Sequence, residues 1–135
     1  MENREALLEQ IRRAYTGRDK GELEALMAEF HPEAVFTLAG DQLILAVAGS
    51  ALGHAQVKEG MAKFIATFEF VRRDILSELV DGDRAAVHSR ITVRMIGSIN
   101  SQHTTDLLDL FRFKDGKIIE LIEFADTALI GKMIS

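Results

Sequence analysis

The segment 106–126, DLLDLFRFKDGKIIELIEFAD, constrains the fold of this chain more than any other. Two strongly apolar runs flank Lys114-Asp115-Gly116-Lys117, and Asp-Gly between such runs is a strong hairpin signal. Side chains along a strand alternate between two faces. In 104–113 one face carries Leu107, Asp109, Phe111 and Phe113, and the other carries Asp106, Leu108, Leu110 and Arg112. The more aromatic face therefore holds an acid. In 117–125, Ile119, Leu121 and Glu123 share one face, and Ile118, Glu120, Ile122 and Phe124 share the other.

The hairpin needs further strands and something to bury against. Segments 70–80 and 84–96 also read as strands, joined by a turn at Asp81-Gly82-Asp83. The odd positions of 84–96 are Ala85, Val87, Ser89, Ile91 and Val93; the even ones are His88, Arg90, Thr92 and Arg94. Packing the odd faces inward buries the most apolar area. It leaves Arg90, Arg94, Arg112 and Glu120 outside with Leu108, Leu110, Ile122 and Phe124. So apolar an outer surface suggests a self-complementary homodimer through that face of the sheet.

The first half is helical. Leu7, Leu8, Ile11, Ala14 and Tyr15 recur at helical spacing, with Asn3 as a cap and Gly17 as a stop. Asp19 and Glu22 are placed to form a capping box for a second, short helix that Pro32 ends. A short strand over 34–38 follows, and 54–68 returns to helical spacing. Residues 39–53 form an apolar loop that reads as an added strand, a lid or a dimer contact. Helices ahead of a run of antiparallel strands give the α+β class. The expected architecture is a single domain over 1–135: a curved antiparallel sheet wrapped as a cone-shaped barrel around three helices of the N-terminal half, with a short C-terminal helix.

Composition narrows the chemistry. With 135 residues, the length suits one domain with a real core, and no cysteine is present, which excludes thiolate catalysis and disulfides. The formal charge of −5 lacks the basic face that nucleic acid requires. The charged start MENREALLEQ does not read as a signal peptide, and no apolar run is long enough to span a membrane. The expectation is a cytoplasmic protein without nucleic-acid or membrane partners. The 4 histidines lack metal-ligand spacing, so neither a metal nor another cofactor is expected.

The closing stretch LDLFRFKDGKIIELIEFADTALI, together with GELEALMAEFHPEAVF, resembles the SnoaL-like, ketosteroid isomerase-like branch of the nuclear transport factor 2-like superfamily. The resemblance spans essentially the whole chain. It implies a cone-shaped α+β barrel around a blind apolar cavity that takes a small hydrophobic molecule, usually in a dimer. It implies no single reaction, because this fold hosts isomerases, cyclases, hydrolases and binders. Of the isomerase constellation, Asp109 matches the acid, the base position falls on Leu38, and the tyrosine position falls on Ala14, with Tyr15 one residue away. The epoxide hydrolase pattern finds its arginine at Arg90 and one aspartate at Asp126, while its second aspartate falls on Thr92. That match would turn Arg90 and Thr92 inward, against the packing above.

Asp109 is the leading candidate, either as a desolvated acid–base group at the cavity wall or as a buried acid satisfied by its neighbours. Tyr15 is either its hydrogen-bond partner or a core aromatic. Glu123 is either a second inward acid or a solvated one. Asp126 reads as the cap of the last helix. The cavity would be lined by Leu38, Phe64, Phe111, Phe113 and Leu121, with His54 at its mouth or serving the start of its helix. Two functions follow: cofactor-independent acid–base catalysis on a hydrophobic substrate, or non-catalytic ligand binding or scaffolding.

Overall fold

The hairpin forms around Asp115 and Gly116. In a computed structural model, which describes residues 4–42, 47–98 and 102–135, strands β5 (His103–Lys114) and β6 (Lys117–Phe124) pair antiparallel. Asp115 and Gly116 both take positive φ, 53° and 74°, as the twist-matched two-residue hairpin turn needs. Strands β3 (Phe68–Asp81) and β4 (Arg84–Met95) join through Gly82 and Asp83, with Gly82 at φ 61°. The six-stranded sheet runs β2-β1-β6-β5-β4-β3, where β1 is Phe30–Leu38 and β2 is Gly49–Leu52. It is curved and open, and every pairing is antiparallel except β1 with β6.

Helices α1 (Arg4–Asp19), α2 (Leu23–Met27) and α3 (His54–Thr67) fill the concave side, and α4 (Thr127–Ile134) follows β6. Leu7, Leu8, Ile11, Ala14 and Tyr15 of α1 pack with Val87, Phe111 and Ile118 of the sheet. The odd face of β4 is buried throughout, from Ala85 to Val93, so the even face with Arg90 and Thr92 points outward. Burying Val87, Ile91 and Val93 is worth about 1.5–3 kcal/mol each. An inward Arg90 would instead need a buried partner.

Several local expectations are corrected. Gly17 does not stop α1, which continues to Asp19. A Cβ at Gly17 would meet the Leu26 backbone nitrogen at 2.9 Å, so the glycine serves the close approach of α2. The chain turns instead at Gly21, whose φ is 70°. No capping box forms: α2 starts after Glu22 without a side-chain cap, and Asp19 binds Arg73. Pro32 does not end α2, which closes at Met27; it sits in β1 where the pairing to β6 shifts register between Phe30 and Val35. On β6, Glu120 faces Arg112 but Ile118 faces Phe113, leaving Ile119 as a bulge. The bulge turns Ile118 into the core, although simple alternation puts it outside. Part of the 39–53 loop is an added strand, β2, paired with β1. Its residues 43–46 and the Asn3 cap lie outside the described residues.

Candidate functional site

Between α1, α3, α4 and the inner sheet face lies a cavity in which the centre of a water molecule can occupy about 90 Å³. On that measure one water needs roughly 10–15 Å³, so several waters or a small organic molecule have room. Phe36, Phe64, Phe68, Phe70 and Phe111 supply much of its wall. Leu129, Ile130 and Met133 of α4 close another side. Its polar side chains include Tyr15 and Arg18 on α1, Arg73 on β3, Thr105 and Asp109 on β5, Glu123 on β6, and Asp126 just before α4.

Asp109 is 1% exposed. In register it stands between Val87 of β4 and Glu123 of β6. Tyr15 Oη donates to its Oδ2 at 2.6 Å. Its Oδ1 is buried and has no hydrogen-bond donor among the described residues. The group directly across the strands from Asp109 is the Glu123 carboxyl, and two carboxyls can hydrogen-bond only when one holds a proton. Burial drives the Asp109 pKa well above the usual carboxylate range, and the adjacent Glu123 carboxyl raises it further. Tyr15 and Arg73 pull it down and are outweighed. Burial and the facing carboxyl thus both favour the protonated form of Asp109.

The supports of this pair are themselves ordered. The Arg73 guanidinium lies 3.8 Å from the centre of the Tyr15 ring. It forks onto Asp19 at 2.8 and 3.0 Å and reaches Ser89 Oγ at 3.4 Å. Burial works against the Arg73 cation, but the bonds to Asp19 more than offset it and hold its pKa above the ordinary value. The Tyr15 and Phe111 rings meet edge to face at 6.0 Å. Burial, and then the neighbouring Asp109 carboxyl, raise the Tyr15 pKa, so its hydroxyl acts as a donor rather than a base.

The structure thus brings together Asp109, Tyr15 and Glu123, with Leu38, Phe64, Phe111 and Leu121 on the same cavity wall. Asp126 borders the cavity, but its Oδ1 accepts from Leu129 N at 3.0 Å and caps α4. Three expected residues stand elsewhere. Arg90 is on the outer face, where its Nε donates to Asp106 at 2.9 Å; Thr92 is there too, against Thr104. Arg90 and Asp126 are consequently on opposite sides of the sheet layer and do not converge on one site. Phe113 is buried one step further along β5, stacked on Phe111 rather than facing the cavity. His54 uses its Nε2 on the Met27 carbonyl at 3.0 Å, tying the start of α3 to the end of α2. Its role is structural.

Sequence reasoning missed Arg18, Arg73 and Phe70. A usable signal existed for Arg18, which follows Tyr15 by three residues and so shares its helix face. None existed for Arg73, whose partners Asp19 and Tyr15 come from α1. Among the described residues no cluster of His, Asp and Glu suits a metal ion, and no helix is long and apolar enough to cross a membrane.

Solved structures share this architecture. A nuclear transport factor 2-like protein of unknown function from Burkholderia pseudomallei is 18% identical, with 96% of this chain and 98% of that chain covered and a TM-score of 0.83. TerC, co-crystallised with polyporic acid, is 20% identical over 96% of this chain and 98% of its own, with a TM-score of 0.78. A protein with a ketosteroid isomerase-like fold from Catenulispora acidiphila, in complex with trimethylamine, is 16% identical over 85% of this chain and 83% of its own, with a TM-score of 0.71. At such identities the likeness establishes the fold alone. No functionally curated protein matches the sequence. The model of the SnoaL-like domain matches residues 11–121, and this chain belongs to that family.

Proposed function

We propose that the cavity binds a small hydrophobic carbonyl compound and moves a proton on it without a cofactor, as isomerases and cyclases do. The observation that supports this reading best is the Asp109 carboxyl: buried, without a donor to Oδ1, and opposite Glu123 in an apolar cavity. In this reading Asp109 keeps its proton and donates it as a hydrogen bond to the ligand's carbonyl oxygen. Tyr15 orients the carboxyl by holding Oδ2. Glu123, the less buried acid, is the base: it takes a proton from the carbon next to the carbonyl and returns it there or at another carbon. The negative charge that develops on the carbonyl oxygen is met by the Asp109 proton. Atoms balance, because Glu123 returns one proton for the one it takes, and in D2O its carboxyl exchanges with solvent between the two steps.

Leu38 favours a second reading. It is buried at the cavity wall, and it takes the position that the isomerase resemblance gives to the base. A non-catalytic ligand-binding or scaffold domain would need no such residue. Deuterium exchange at the α-carbon of 1-tetralone, followed by NMR in D2O, separates the two. The acid–base reading predicts accelerated exchange, with Glu123→Gln and Asp109→Asn each lowering the rate by about 10²–10⁴-fold. Binding of 1-tetralone with exchange no faster than in buffer supports the binder and refutes catalysis.

The exposed Leu108, Leu110 and Phe124 on the outer sheet face support a homodimer in this same proposal, with a second copy covering that patch.

A further inference from the structure

Arg18 stands in the cavity and plays no part in the proton transfer just described. It leaves the last turn of α1, where a cation suits the carbonyl end of the helix. Its guanidinium lies 3.9 Å from the centre of the Phe70 ring, and its Nη2 donates to the Phe68 carbonyl oxygen at 3.0 Å. A guanidinium offers five N–H donors in a planar fork. Among the described residues, no other acceptor takes the donors of Arg18 and no carboxylate forms an ion pair with it.

The contrast with Arg73 is sharp. Both arginines flank the cavity and both stack on an aromatic ring, yet Arg73 has its fork closed by Asp19. Burial lowers the Arg18 pKa to about 10, against the pull of Glu123 and Asp19, so it remains a cation at neutral pH. A largely buried cation with unspent donors costs free energy unless a polar group satisfies it. Water can do so in the free protein. In the occupied cavity, where phenylalanines supply the neighbouring wall, the ligand must do so itself.

We propose that Arg18 anchors a carboxylate, and hence that this cavity takes an apolar carboxylic acid with a ring or rings of aromatic size. The inference rests on the reading of the cavity as a ligand site and names the class of molecule bound there. The carboxylate sits on the open edge of the Arg18 fork, and the ring lies against Phe64, Phe68 and Phe70. The reactive carbonyl or C–H points toward Asp109 and Glu123. A carboxylate fits better than a phosphate for two reasons. A lone planar guanidinium matches a planar carboxylate with two parallel bonds. The Glu123 carboxyl lines the same pocket and, when ionised, would repel a dianion more strongly than a monoanion. Stacking on Phe70 already holds the guanidinium flat, so little side-chain freedom remains to be lost when the acid binds.

The test uses matched acid and amide pairs of equal shape: 2-naphthoate with 2-naphthamide, cinnamate with cinnamamide, and indole-3-acetate with indole-3-acetamide. Affinities are measured by calorimetry at pH 7 in low salt. Wild-type protein should bind at least one acid about 10–100-fold more tightly than its amide, the span expected for charge-assisted hydrogen bonds. Arg18→Gln and Arg18→Met should remove that preference and leave amide affinity within about two-fold. In the intact protein, the acid but not the amide should shift the Arg18 Nε resonance, a readout that needs no variant to fold. Equal affinities for acid and amide, or a preference that survives both replacements, would overturn the anchor while leaving the cavity reading intact. Failure of every acid and every amide to bind would overturn both.

Discussion

Asp106 and Asp109 are the same residue on the same strand, and they live in opposite worlds. Strand β5 sends Asp106 to the outer face and Asp109 to the cavity. Outside, Asp106 accepts from Arg90 Nε at 2.9 Å and from His88 Nε2 at 2.8 Å, and these partners, Arg90 first, hold its pKa below the ordinary value. Inside, Asp109 has one donor, a buried unpaired oxygen and another carboxyl opposite, and its pKa goes the other way. Residue type alone therefore says nothing about protonation. The pleat decides which face a side chain takes, the face decides its partners and its share of water, and these set the charge.

The largest effect is expected from breaking the inside environment. Phe111→Ala removes a 3% exposed ring that borders Tyr15 and the cavity, at a cost of about 3–5 kcal/mol in urea unfolding. If water then reaches the carboxyl, the Asp109 pKa should fall back toward that of an ordinary aspartate. A stability loss below about 1 kcal/mol would mean that the inner face is less tightly packed than its burial indicates.

A middling effect comes from removing the proton itself. The folded-state pKa of Asp109 is raised, so from about pH 4 upward the native protein retains a proton that the unfolded chain has shed. Over that window stability falls as pH rises, and the fall ends once the folded pKa is passed. Asp109→Asn cannot titrate and still accepts from Tyr15. Its melting temperature should therefore gain on the wild type between pH 4.5 and pH 7.5. Parallel curves for the two proteins would show that Asp109 ionises normally.

The smallest effect lies outside. Asp106→Asn loosens an exposed ion pair, whose worth is screened by solvent and salt. Its shift in melting temperature should be smaller than that of Phe111→Ala and should shrink further in 0.5 M NaCl. An effect that persists in high salt would indicate that Asp106 is covered, as it would be in a dimer through that face.

Much of this contrast is readable from the sequence. The period of two identifies Asp109 as the acid among aromatics and puts Val87, Ile91 and Val93 inside. What escapes sequence reading depends on contacts between distant elements. Gly17 looks like a helix stop, but its missing side chain makes room for the Leu26 backbone. Pro32 looks like a helix end, but the register shift in β1 accommodates it within the strand. Sequence reading does not single out Arg18 or Arg73, and the fold sets them on Phe70 and Tyr15. Alternation also fails at the Ile119 bulge, where an extra residue moves Ile118 inward. Glu123 stays ambiguous in sequence for a related reason: its face is fixed by register with Asp109, which one strand cannot reveal.

The most direct test is the protonation state of Asp109 itself, read by NMR titration of protein carrying ¹³C-labelled aspartate and glutamate carboxyls. The Asp109 carboxyl should show the shift of a protonated acid at pH 7, while Asp106 shows that of a carboxylate. Glu123→Gln should lower the Asp109 midpoint, because the opposing charge is gone. A fully ionised Asp109 at pH 7, with a midpoint unmoved by Glu123→Gln, would contradict the account.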